Sequence, residues 1–302
     1  MNRPSPATLV AFVFFVLIGG SNFVAVRFSL RELDPFYAAG IRFALASSLL
    51  FAIAAVARVA LPRGRALRGA VIYGLLNFFV AYAFFYWGAQ RVPAALGSVI
   101  FGAVPLMTVL LAAAQGIERL RGRAILGGLI AVAGVLVTVG APANASVPLL
   151  YLGAVVVSAA GAAQTAIVLK RFPDIRPVSM NAIGLGLGAI LLLVTSLASG
   201  ESWIVPSRPA TWSALGFMVP VGSVLLFVLY VFIVQHWTAT GASFQFVLFP
   251  VVAAIAGALI AGEALDARIA IGGLLALVGV YIGALAGGRT PIEHTEAPVG
   301  LS

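Results

Sequence analysis

The sequence predicts an all-α integral membrane protein of ten transmembrane helices, built as two inverted five-helix repeats around a central cavity. Composition predicts the membrane. Of 302 residues 62% are hydrophobic and only 9% charged, and the mean hydropathy is +1.11, whereas a soluble domain carries roughly 25% charged residues. Self-similarity predicts the duplication. Ala94, Ser98, Phe101, Pro105, Glu118, Arg123, Gly127, Gly128, Gly134 and Val135 recur without a gap as Ala239, Ser243, Phe246, Pro250, Glu263, Arg268, Gly272, Gly273, Gly279 and Val280. Parity predicts the inversion: five spans per unit is odd, so the second copy enters the bilayer in the opposite sense, as in many secondary transporters.

Each span follows from the need for about 20 apolar residues to cross the hydrocarbon core. Charged and Pro/Gly clusters cut the chain into segments at 8–29, 36–57, 69–89, 95–116 and 123–141, then 149–169, 178–198, 211–233, 240–261 and 268–287. The first repeat is therefore read as 1–144 and the second as 145–288, with 289–302 a disordered cytoplasmic tail rich in Pro, Glu and Thr. With an internal amino terminus, the inside segments hold Arg3, Arg58, Arg63, Arg65, Arg68, Arg119, Arg121, Arg123, Lys170, Arg171, Arg176 and Arg289, and the outside only Arg27, Arg31, Arg91, Arg208 and Arg268. The positive-inside rule then puts both termini in the cytoplasm. The net charge of +9 is spread over short loops, so no nucleic-acid partner is needed to explain it. The first apolar run is too long for a signal peptide's core and is read as the first span. The chain has no Cys, which removes disulfides and thiolate metal sites.

Small residues recur at close helical spacing, as in Gly127, Ala131 and Gly134 or Gly184, Gly186, Gly188 and Ala189, and small residues let helix backbones approach in lipid. Pro105 and Pro250 stand at matching places in spans four and nine; an internal Pro frees a carbonyl one turn earlier, so both are read as helix kinks that can shape a cavity. Glu118–Arg123 and Glu263–Arg268 mark matching turns and are expected to fix them.

Two copies of a Ser-x6-Pro span, a Glu-x4-Arg turn and a Gly-Gly-x5-Gly helix resemble the EamA family of the drug/metabolite transporter superfamily. The opening Gly20-Ser21-Asn22, the Arg31-Glu32-Leu33-Asp34-Pro35 turn and Arg42-Phe43 are similar to that family's first helical pair. The resemblance covers nearly the whole chain. It implies a ten-helix bundle in the inner membrane that exports amino acids or related metabolites, with the aromatic amino-acid exporters the nearest likeness.

Polar groups at membrane depth are costly unless they meet a cavity or another helix. Asn22, and Gln164 aligned to it by matching Pro35 with Pro177, offer amides for a zwitterion or bonds between helices. In span three Asn77, Tyr82 and Tyr86 share a broad helical face, with Phe84 and Phe85 between them, which suits an aromatic or apolar side chain. Ser98, Phe101 and Gln245 complete the expected substrate site. Trp87, at the span's end, reads as an interfacial anchor, and Gln90, Gln235 and His236 as groups at span ends. Arg42 is the one embedded charge, free to snorkel, pair with Asp34 or attract a carboxylate. None of the nine acidic residues falls mid-span. A proton-coupled antiporter for cationic drugs needs such a buried carboxylate, so the expected cargo is neutral or zwitterionic and its flux independent of a proton gradient. No H-E-x-x-H, G-x-S-x-G or phosphate loop occurs, so neither an enzyme nor a cofactor or metal is expected. The partners are a small-molecule substrate and membrane lipid, with a monomer as the working unit. A channel-like pore for small neutral solutes and a drug/metabolite efflux pump are the alternatives.

Overall fold

The bundle is built almost wholly of helix because a lipid-facing backbone has no water to bond and must satisfy its polar groups within each segment. The structure, a computed structural model, describes residues 4–89, 91–92, 97, 100–139, 148–261 and 267–285. We number the helical segments α1 (Pro6–Ser29), α2 (Pro35–Val56), α3 (Arg65–Tyr73, Gly74–Val80 and Ala81–Ala89), α4 (Val104–Ala114) and α5 (Gly122–Val139). The second half follows with α6 (Leu149–Arg171), α7 (Pro177–Ala198), α8 (Pro209–Met218, Pro220–Leu225 and Leu226–His236), α9 (Ala239–Ser243 and Gln245–Ala261) and α10 (Ala267–Val280 and Tyr281–Leu285). Among the described residues eight of these are long and apolar enough to span a membrane, while α4 and α5 are shorter apolar helices. The Glu263 turn, Gln90 and the tail lie outside the described residues.

Helix starts follow the local chemistry. Ser5 caps α1 by accepting from the Thr8 backbone at 3.1 Å, with Pro6 at the first helical position. α2 begins at Asp34-Pro35, yet Asp34 does not cap it. The second half supplies that cap: Glu201 accepts from the Phe36 and Tyr37 N–H groups at 3.0 and 2.8 Å. In return Glu32 accepts from Ser207 and Arg208 backbone N–H and from the Thr211 hydroxyl at the start of α8. At the other end of the bundle Glu118 accepts from the Ala239 and Thr240 N–H groups that open α9. The turn expected at Glu118 is thus a strap between halves. Loops that the basic-residue count assigns to one side meet at one end of the bundle.

The packing exchanges the two halves. α2 lies along α7 and α5 along α10, which are equivalent helices; α1 meets α9 as α4 meets α6, and α1 meets α8 as α3 meets α6. At the α5–α10 seam a Cβ on Gly134 would collide with the Gly272 carbonyl and the Ala276 backbone, and one on Gly279 with the Gly127 carbonyl and the Ala131 backbone. These are the same contact made twice. Outward faces stay apolar: Val10, Val13, Phe14 and Leu17 of α1 are exposed while Phe12, Phe15 and Val16 are buried, as a lipid-facing helix requires.

Candidate functional site

α3 and α8 both pass through a π-helical stretch at mid-length, Gly74–Val80 and Pro220–Leu225. These lie in register with the 145-residue repeat. A π turn shifts the backbone ladder by one residue and leaves carbonyls available, and such turns concentrate at functional sites. In α8 Pro220 contributes no N–H of its own. The carbonyl of Gly222 in that turn accepts from two first-half side chains, Asn22 Nδ2 at 3.0 Å and Arg42 Nη2 at 2.6 Å. A Cβ at Gly222 would strike the Asn22 amide, so a larger residue there would have to displace that side chain and its bond to the carbonyl.

Beside this crossing, on the seam between the halves, lies a cavity of about 150 Å³. Its wall is assembled from equivalent positions of the two halves. Ala81 and Leu226, Tyr82 and Phe227, Phe85 and Tyr230, and Phe101 and Phe246 all line it, each pair 145 residues apart. The Phe101 and Phe246 rings approach to 6.2 Å between centroids; Phe85 meets Phe101 edge-on at 5.4 Å and Phe246 meets Phe249 at 5.5 Å. These contacts line the cavity with ring faces and edges.

Five of the eight expected substrate residues, Asn22, Asn77, Tyr82, Tyr86 and Phe101, line this cavity. Ser98 lies outside the described residues. Gln164 is elsewhere: its amide pairs with Gln115 at the C-terminal cap of α4, receiving a bond at 2.7 Å and returning one at 3.2 Å, while Arg171 donates to the same Gln115 oxygen at 3.0 Å. Of the two readings open to Gln164, the structure gives the bond between helices. Gln245 is fully buried with neither amide atom bonded, but it is not among the residues that line the cavity. Pro105 opens α4 just after a turn at Ala103, whereas Pro250 stands inside α9. The residue one turn before each, Phe101 and Phe246, carries its ring in the cavity wall.

Asn77 leads away from the cavity into a buried chain. Its Nδ2 donates to the Tyr73 hydroxyl at 3.5 Å, Tyr73 to Asn181 Oδ1 at 2.8 Å, and Asn181 Nδ2 to the Phe227 carbonyl at 2.9 Å. Asn22 is different. Because the Gly222 carbonyl only accepts, the amide nitrogen must face it, and the Oδ1 is left buried without a partner. The Tyr230 hydroxyl is likewise buried and unbonded in the cavity wall. Buried polar atoms are nearly always satisfied, so two unsatisfied ones on residues of one cavity wall are exceptional.

Arg42 neither snorkels to the surface nor meets Asp34. It is 2% exposed, lines the cavity and does not pair with Asp34, whose carboxylate accepts from the Ser202 N–H instead. Sequence reasoning missed Tyr230, Phe227 and Phe249, because a Tyr or Phe in an apolar span carries no mark of which way it faces. Shifting Phe85 by the repeat length would have found Tyr230. Among the expected end-of-span groups, Trp87 packs on Tyr151 at 5.2 Å, Gln235 donates to the Ile175 carbonyl at 2.8 Å, and His236 is exposed.

Two stretches of the chain, residues 7–140 and 149–284, match the model of the EamA-like transporter family. A probable amino-acid metabolite efflux pump of Salmonella typhimurium is 29% identical over 88% of this chain and 91% of its own length. An uncharacterized inner membrane transporter of Escherichia coli, YedA, is 25% identical over 83% of this chain and 81% of its own. A protein of known crystal structure superposes with a TM-score of 0.80 over 94% of this chain and 99% of that one at 19% identity, a likeness of fold alone.

Proposed function

We propose that this chain, which belongs to the EamA-like transporter family, carries small zwitterionic amino acids with aromatic or apolar side chains across the inner membrane by alternating access. The observation that carries the reading is the cavity itself: a ring-lined void on the seam of the halves, with Arg42, Asn22 and Tyr230 in its wall and a buried oxygen of each of the last two left without a partner. Its size suits the ring of such a side chain. A void of about 150 Å³ matches one that takes up a single benzene ring, well below the roughly 300–1,000 Å³ of drug-sized pockets. The efflux-pump name of the Salmonella relative supports export as the direction, and the inner-membrane name of YedA supports the compartment.

The exchange symmetry of the helix contacts and the odd span number support halves of opposite orientation, with both termini in the cytoplasm. Alternate opening of the two ends then needs only that one half rock against the other around a fixed site. The Glu118 strap is at one end, and the Glu32 and Glu201 caps are at the other.

Counterflow in proteoliposomes tests the function. Vesicles loaded with unlabelled phenylalanine should take up labelled phenylalanine in a saturable, trans-stimulated manner, at a rate that an imposed pH difference leaves unchanged. Linear flux without trans-stimulation would make the protein a pore, and accumulation above equilibrium driven by the pH difference would overturn the uncoupled mechanism.

A further inference from the structure

Arg42 is the only charged residue among the described ones that line the cavity, and it is held as a rigid fork. Nε donates to Ser223 Oγ at 2.7 Å and Nη2 to the Gly222 carbonyl at 2.6 Å, both in the π turn of α8. Nη1 has only the Met218 sulfur at 3.8 Å, a weak acceptor. Every one of these partners is neutral, and the Phe43 ring 5.4 Å from the guanidinium carbon adds only a cation–π contact. A cation at this depth without a counter-ion is costly. If its task were only to tie α2 to α8, an amide or hydroxyl would make the same bonds without the charge. A permanently charged planar donor facing a void is the group that recognises a carboxylate.

From this geometry we infer that Arg42 binds the carboxylate of the cargo, that this carboxylate is the indispensable recognition element, and that the ammonium group is not. The charge arithmetic requires it. A carboxylate without an ammonium leaves the occupied cavity neutral; a zwitterion leaves it at the +1 of Arg42; an amine that lacks the carboxylate brings it to +2. The Asn22 Oδ1 and Tyr230 hydroxyl then serve whatever group stands on the α-carbon, an ammonium or a hydroxyl, and the rings take the side chain. The site therefore admits aromatic hydroxy acids beside amino acids. This rests on the transporter reading above but not on amino acids being the cargo.

Two near-isosteric analogues separate the groups: 3-phenyllactate keeps the carboxylate and replaces the ammonium by a hydroxyl, while phenylalaninol does the reverse. In counterflow of labelled phenylalanine by the unaltered chain, 3-phenyllactate should compete within a few-fold of phenylalanine and phenylalaninol at least tenfold more weakly. Loss of one charge-assisted bond corresponds to roughly ten- to hundredfold in affinity. Arg42→Gln should raise the KM for both carboxylates by that factor, and Arg42→Lys, which keeps the charge but not the fork, by less. Phenylalaninol competing as well as phenylalanine, or a KM unchanged in Arg42→Gln, overturns the inference while leaving amino-acid transport standing. Uptake of labelled 3-phenyllactate without any of phenylalanine would uphold the inference and defeat the amino-acid reading. Should Arg42→Gln fail to fold, the two analogues on the unaltered chain decide alone.

Discussion

The two halves contribute unequally to a cavity whose shape they share. At Tyr82 and Phe227, Phe85 and Tyr230, Phe101 and Phe246, each half supplies a ring in the same place. The polar groups are not shared. Asn22, Arg42, Asn77, Tyr82 and Tyr86 come from the first half, against Ser158 and Tyr230 from the second, and the Ser158 hydroxyl is already spent on the Ala81 carbonyl at 2.6 Å. Where the first half has Asn77 the second has Gly222, and where the first has Arg42 the second, aligned through Pro35 and Pro177, has Gly184. The difference separates two jobs. Duplication accounts for the rings that both halves supply, and divergence for the polar groups that come mostly from one of them. The second half became the acceptor, its π-turn carbonyl holding the first half's side chains in place.

If that is right, equivalent substitutions should cost the same in the shell and differently at the cavity. The largest effect is expected at the α5–α10 seam. Gly134→Leu and Gly279→Leu each force a side chain into opposing backbone, an overpacking worth about 3 kcal/mol or more. The two should lower the melting temperature in detergent by nearly equal amounts. A severe loss in one with none in the other would break the symmetry of the shell.

Asn22 and Gln164, aligned across the repeats, should part company. Asn22→Ala removes both the unsatisfied Oδ1 and the bond to the Gly222 carbonyl in the cavity wall, and should raise the KM for substrate about ten- to hundredfold, the equivalent of roughly 1–3 kcal/mol. Gln164→Ala removes only the bonds to Gln115, so the KM should hold while stability falls by about 1 kcal/mol. Measuring KM and melting temperature for both variants separates the roles; a KM effect in Gln164→Ala equal to that in Asn22→Ala would return the second amide to the site.

The smallest effect concerns the straps between the halves. The Thr211 hydroxyl, then the Ser207 hydroxyl and backbone, hold the Glu32 carboxyl down from 4.5 to about 2. A depressed acid stabilises the fold fully above its unfolded value and loses that contribution as the pH falls through the folded one. Melting temperature should therefore decline between about pH 4.5 and 2, and Glu32→Gln should flatten part of that decline. An identical pH profile in the variant would show that Glu32 adds nothing to the clamp.

How much of this was legible in the sequence depended on the kind of order involved. Membrane class and span limits follow from local apolarity, which one stretch of chain carries by itself. The duplication and the glycine seam of Gly127, Gly134, Gly272 and Gly279 are also local, since each rests on spacing along one helix or on one register between two. Asn77, Tyr82 and Tyr86 were found because they share a face on one span. The faces of isolated polar residues were not legible. In a bundle surrounded by lipid the outer surface is as apolar as the interior, so periodicity does not tell which side of a helix is covered. Only the tertiary structure decided that Gln164 turns to Gln115, that Glu201 rather than Asp34 caps α2, and that Arg42 reaches the Gly222 carbonyl of the other half. Each of those choices joins residues more than 40 positions apart, and their partners exist only once the helices have packed.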